Sequence, residues 1–80
     1  MSVLDEAFGD STLPRANGEV TFDAPWQGRA LAMAVSLVDQ LDLEWDAFRR
    51  HLISAIESEP DRAYWDSFAA ALDAFVAQHV

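Results

Sequence analysis

Eighty residues carry 14 acidic side chains against five arginines and no lysine, a formal net charge of −9. Nucleic acid and anionic membrane are disfavoured as partners because both would repel such a chain at long range, whereas a basic patch on another protein would attract it. The length allows one domain at most, and a chain this short buries only roughly 60–65% of the surface its unfolded state exposes.

No cysteine is present, so neither a disulfide framework nor a thiolate metal site can form. The N-terminal segment holds no basic stretch followed by an apolar run, so no signal peptide is expected. The longest near-apolar run, Ala30–Val35, is far too short to span a bilayer. A cytoplasmic location is the expectation.

Residues 2–8 have the makings of one or two helical turns, with Ser2 as N-cap, Asp5 three residues on, and Val3, Leu4 and Phe8 as an apolar side. A helix this short requires docking to persist. Residues 13–24 read as an extended arm. Pro14 biases Leu13 away from helix, and Asn17-Gly18 is a turn signal. A lone hairpin cannot stand as a sheet, so the expectation is a loop pinned by Leu13 and Phe22. Residues 1–24 thus form an N-terminal arm, and residues 25–80 a helical domain.

The first long helix begins at Pro25 or Trp26, where the missing proline N–H costs nothing, with Asp23 as the expected N-cap. Trp26, Ala30, Met33, Leu37 and Leu41 form one apolar stripe; Leu31, Val35 and Val38 form a second, with Ala34 between. That surface is wider than one core requires. The first stripe is expected to hold the other helices and the second to meet a partner.

Beyond the Leu41-Asp42-Leu43 connection, the next helix spans Trp45–Ser58, with Asp42 or Glu44 as its expected cap. Trp45, Phe48, Leu52 and Ile56 share a face bordered by Arg49 and Ile53, while Arg50, Ser54 and Glu57 point away. Glu59-Pro60-Asp61 breaks the chain. A third helix covers residues 61–78, capped by Asp61, with Tyr64, Phe68, Ala71, Leu72, Phe75 and His79 on one stripe and Trp65, Ala69, Leu72 and Val76 on another. The fold class expected is all-α: a three-helix unit with an extended N-terminal arm.

No catalytic constellation emerges. His51 and His79 lie on different helices without metal-ligand spacing, the carboxylates are scattered, and neither a nucleophile motif nor a glycine-rich phosphate loop is present. The chain is expected to bind no metal. Three tryptophans and a tyrosine exceed what a small three-helix core needs, and such residues are enriched among interface anchors. Trp26, Trp45, Tyr64 and Trp65 are therefore candidate partner-binding residues, to which the family resemblance stated next adds Arg29 and Phe68. Arg49 stands at the edge of an apolar face, where a guanidinium suits an anionic group on a partner.

One ordered series of motifs carries a resemblance: Leu13-Pro14-Arg15-Ala16-Asn17-Gly18-Glu19; Phe22-x-x-Pro25-Trp26-Gln27-x-Arg29-Ala30; Ala32-Met33-Ala34-Val35-x-Leu37; Leu43-x-Trp45-x-x-Phe48-Arg49; and Tyr64-Trp65-x-x-Phe68-x-x-Ala71-Leu72. Over about residues 13–77 the chain resembles the nitrile hydratase accessory proteins and the N-terminal helical region of nitrile hydratase β subunits.

The resemblance implies a partner: an α subunit holding Co(III) or Fe(III) on oxidised cysteines, around which the β-type helices wrap. It also implies that an arginine in a Trp/Val-Asp-x-Phe/Val-Arg pattern, here Trp45-Asp46-Ala47-Phe48-Arg49, hydrogen-bonds those oxidised sulfurs in the partner's active site. The aromatic residues near the family's substrate pocket match Tyr64 and, beside it, Trp65 or Phe68. The β-barrel half of a β subunit and the basic tail of metal-delivering accessory proteins have no counterpart here. The expected role is thus non-catalytic on its own: an accessory protein, or a small β-type chain that works with a separate β C-terminal chain. The competing reading from charge alone is a stand-alone acidic helical adaptor for a basic protein.

Overall fold

The computed structural model describes residues 3–80; Ser2, expected to cap the first helix, lies outside them. The described chain is mostly helical: α1 (Val3–Phe8), β1 (Arg15–Ala16), β2 (Glu19–Val20), α2 (Pro25–Gln40), α3 (Trp45–Ser58) and α4 (Tyr64–His79). The three long helices fall where the apolar periodicity places them. The chain divides into two compact units, Met1–Trp45 and Asp46–Val80.

In the first unit, α1 packs against α2, and Ala7 is wholly buried. The arm expected as a loop is instead a minimal antiparallel hairpin, with Arg15 opposite Val20 and Ala16 opposite Glu19. Its two-residue turn explains the difference. Asn17 and Gly18 both take positive φ (54° and 82°), the twist that matches paired strands. The Arg15 guanidinium adds bonds to the carbonyls of Phe8, Asp10 and Gly18. Of the two expected anchors, Leu13 is buried and Phe22 is exposed.

The N-terminus of α2 is built differently from expectation. The N-cap is Ala24, not Asp23, and it offers no side-chain acceptor. Gln27 reaches back instead, its Oε1 accepting from the Asp23 N–H at 2.6 Å and the Ala24 N–H at 3.3 Å. That is the reciprocal half of a capping box, and it draws Gln27 into the buried set.

The buried arc of α2 is Gln27, Ala30, Leu31, Ala34 and Val38, so both stripes contribute to it, Ala30 from the first and Leu31 and Val38 from the second. Leu31 and Val38 face inward, whereas Trp26 and Met33 of the other stripe face solvent. Apolar width was readable from spacing; which residues turn inward depends on tertiary packing.

Asp42 also departs from expectation. It ends α2 rather than starting α3, with φ 57°. The Asp42 N–H bonds the Asp39 carbonyl at 3.1 Å and the Leu43 N–H bonds the Val38 carbonyl at 3.0 Å. This is a Schellman ending with aspartate where glycine is usual.

The second unit is a helical hairpin around phenylalanine. Phe48, Leu52, Phe68 and Phe75 are completely buried. The Phe48 ring lies 5.0 Å from Phe68 and 5.6 Å from Phe75 between centroids, the latter edge-on. Such pairs add roughly 0.5–1.5 kcal/mol each beyond the area they bury.

The α3–α4 connection is closed by Arg62. Its Nη2 donates to the Ala55 carbonyl (2.9 Å) and its Nε to the Ser67 hydroxyl (3.1 Å), with Glu59 beside it at 3.5 Å. Helix α4 starts at Tyr64 with Ala63 as N-cap, so Asp61 does not cap it. The burial of α3 matches the sequence pattern: Trp45, Phe48 and Leu52 are buried, Arg49, Ile53 and Ile56 are half-buried, and Arg50, Ser54 and Glu57 are exposed.

Candidate partner-binding surface

Exposed large apolar side chains are concentrated in the first unit. Leu4, Phe8, Phe22, Trp26 and Met33 are each more than a third exposed, and in the second unit, among the described residues, only the terminal Val80 joins them. The charge is skewed the same way: the first unit holds eight acids against two arginines, a net −6, and the second six acids against three arginines, a net −3.

Trp26 (38% exposed), Arg29 and Met33 (53% exposed) occupy positions i, i+3 and i+7 of α2, hence one face. Ser36 and Gln40 continue that face toward the C-terminus, and Arg29 is its only charge. An acid-free strip bearing tryptophan, methionine and arginine stands out on so acidic a chain. These are the residue types enriched at interface centres. Phe22, Asp23, Ala24, Pro25 and Gly28 line a shallow hollow at the head of the same helix.

Trp45, at the first position of α3, is buried rather than displayed, and its indole Nε1–H donates to Asp10 Oδ2 at 2.9 Å. The other oxygen of Asp10 accepts from the Thr12 N–H (2.9 Å) and the Thr12 hydroxyl (2.8 Å). This carboxylate escaped the reading of the sequence. The spacing of Asp10 and Thr12 signals the local turn, but nothing in one dimension joins Asp10 to a residue 35 positions away.

Trp65 and Phe68 are likewise buried, with Tyr64 half-buried beside them. Tyr64 meets Trp65 edge-on at 5.2 Å, and the Trp65 and Phe68 rings are 5.0 Å apart. These three aromatics form one cluster in the second unit. Trp26 and Arg29 form a separate strip in the first.

Arg49 is half-buried at the border of the apolar face of α3. Arg50 is exposed and takes Asp46 at 3.4 Å, one turn back. An exposed pair of this kind contributes little. The two histidines flank Phe75, His51 at 5.7 Å and His79 at 4.6 Å between ring centroids, and His51 Nε2 donates to Gln78 Oε1 at 2.6 Å.

Among the described residues, no group of three or more His, Cys, Asp or Glu side chains converges to hold a metal ion. Among the same residues, no helix is long and apolar enough to cross a membrane. No family model, curated protein or solved structure matches the chain.

Proposed function

We propose that the chain is a non-catalytic component of a nitrile hydratase-like metalloenzyme: an accessory protein or small β-type subunit that binds the metal-bearing α subunit in the cytoplasm and supports its assembly or maturation. The ordered motifs over residues 13–77 suggest the family. The observation that carries the reading is the strip Trp26, Arg29 and Met33, solvent-facing and free of acids on a chain otherwise coated with them. Trp26 and Met33 are already partly covered, so burying the exposed remainder of either against a partner is worth about 1 kcal/mol.

In this reading the Co(III) or Fe(III) belongs to the partner. Arg49 is offered to the oxidised cysteines that hold the metal, where a planar guanidinium fork can donate to two sulfur-bound oxygens at once.

Co-expression with a nitrile hydratase-type α subunit tests it. The chain is expected to co-purify with that subunit, and Trp26→Ser to weaken the complex. Arg49→Lys is expected to leave the complex intact while lowering nitrile hydration by the assembled enzyme. Failure of the unmodified chain to co-purify would sink the proposal.

A further inference from the structure

Helices α1 and α2 leave a groove between them, lined by Val3, Leu4, Val35, Ser36 and Asp39. Its floor is apolar: Leu4 is half exposed, and Val3 and Val35 are half-buried. It belongs wholly to the first unit, the more acidic of the two. It also lies along the last two turns of α2, where helix geometry adds to the charge.

The C-terminus of a helix carries roughly half a negative charge, normally offset by a basic residue in the last turn. Helix α2 has none there. Asp39 occupies that turn instead, and Asp42 sits immediately after the helix. Neither arginine of the first unit answers these charges. Arg15 is committed to the carbonyls of Phe8, Asp10 and Gly18. Arg29 lies ten residues before Asp39, about 15 Å away along the axis. The groove therefore pairs an apolar floor with a negative end that neither arginine of the first unit neutralises.

We propose that this groove is a docking site for a basic amphipathic helix of another protein. An apolar side chain of that helix enters between Leu4 and Val35, and a lysine or arginine one turn along lies over Asp39 and the end of α2. The sign of the charge selects the occupant. A second copy of this chain would bring another −9, and nucleic acid or an anionic membrane would be repelled. This site meets the Trp26 strip at Ser36 but uses neither Trp26, Arg29 nor Met33, and it does not rest on the nitrile hydratase reading.

The probe is an amidated 14-residue peptide of leucine and lysine, with leucines at helical i, i+3, i+4 and i+7 spacing. Its affinity for the full chain is measured by calorimetry, and its site by amide chemical-shift changes. Binding is expected to perturb Val3, Leu4, Val35 and Asp39. A scrambled peptide of the same composition should bind at least tenfold more weakly, and a glutamate-for-lysine peptide not at all.

Leu4→Ser and Asp39→Lys are each expected to weaken binding about tenfold. Glu57→Lys, an equal charge change in the second unit, and Val80→Ser, a loss of exposed apolar surface elsewhere, should change it less than twofold. Circular dichroism melts of all variants confirm that the fold persists. Equal binding of the scrambled peptide, equal effects of Asp39→Lys and Glu57→Lys, or self-association of the unliganded chain through this groove would each overturn the proposal.

Discussion

Replacing Asp10 by alanine tests a buried carboxylate that ties Thr12 to Trp45 in the first unit. The carboxylate is 5% exposed and accepts hydrogen bonds from the Thr12 N–H, the Thr12 hydroxyl and the Trp45 indole. The Thr12 donors are only partly buried, so water can replace much of what they lose. Trp45 is 3% exposed, and water does not reach its N–H without opening the unit.

A buried donor left without an acceptor costs about 1–3 kcal/mol, and the lost charge-assisted bonds at Thr12 add to that. Asp10→Ala should therefore destabilise by about 3 kcal/mol. For a domain of this size each kcal/mol shifts the midpoint by about 4–8 °C, so Tm should fall by roughly 12–24 °C. Asp10→Asn keeps an acceptor oxygen and should cost about 1 kcal/mol. Trp45→Phe removes the donor, so adding Asp10→Ala to it should cost less than Asp10→Ala alone, with a coupling of about 1.5 kcal/mol. Thermal melts of the four proteins, monitored by circular dichroism, complete the cycle. A loss below about 1 kcal/mol for Asp10→Ala, or strict additivity with Trp45→Phe, would show that the bond does not hold the unit together.

In the second unit, Arg62→Ala removes the donors to the Ala55 carbonyl and the buried Ser67 hydroxyl, with an expected loss of about 1–3 kcal/mol in a denaturant titration; Arg62→Lys, lacking the planar fork, should recover only part. Asp42→Gly should stabilise the chain by about 1 kcal/mol, because it relieves a left-handed conformation at φ 57°, and a lower melting temperature would contradict that assignment. Gly18→Ala meets no atom within 4 Å but must hold φ +82°, so it should cost about 1 kcal/mol and speed amide exchange at Thr21, whose N–H bonds the Pro14 carbonyl at 3.0 Å across the hairpin.

Helix identity and extent could be read from the chain because they depend on local quantities. Apolar spacing of three and four, proline at the head of α2 and the Glu59-Pro60-Asp61 break place all three long helices without reference to contacts. The inner face of α3 could be read for the same reason, since its polar and apolar residues separate cleanly around the helix.

Helix α2 is different. It is apolar around most of its circumference, so periodicity alone cannot rank its two stripes, and only tertiary packing turns Leu31 and Val38 inward while Trp26 and Met33 stay in solvent. The same holds for the polar ties. Asp10 to Trp45 and Arg62 to Ala55 join residues that only folding brings together. A charge or an amide on a single chain does not reveal its distant partner. The sequence alone determined a small acidic helical protein with more aromatic surface than its core needs. The tertiary structure decided which aromatics that surplus is, because burial depends on the neighbours a face meets and not on its own spacing.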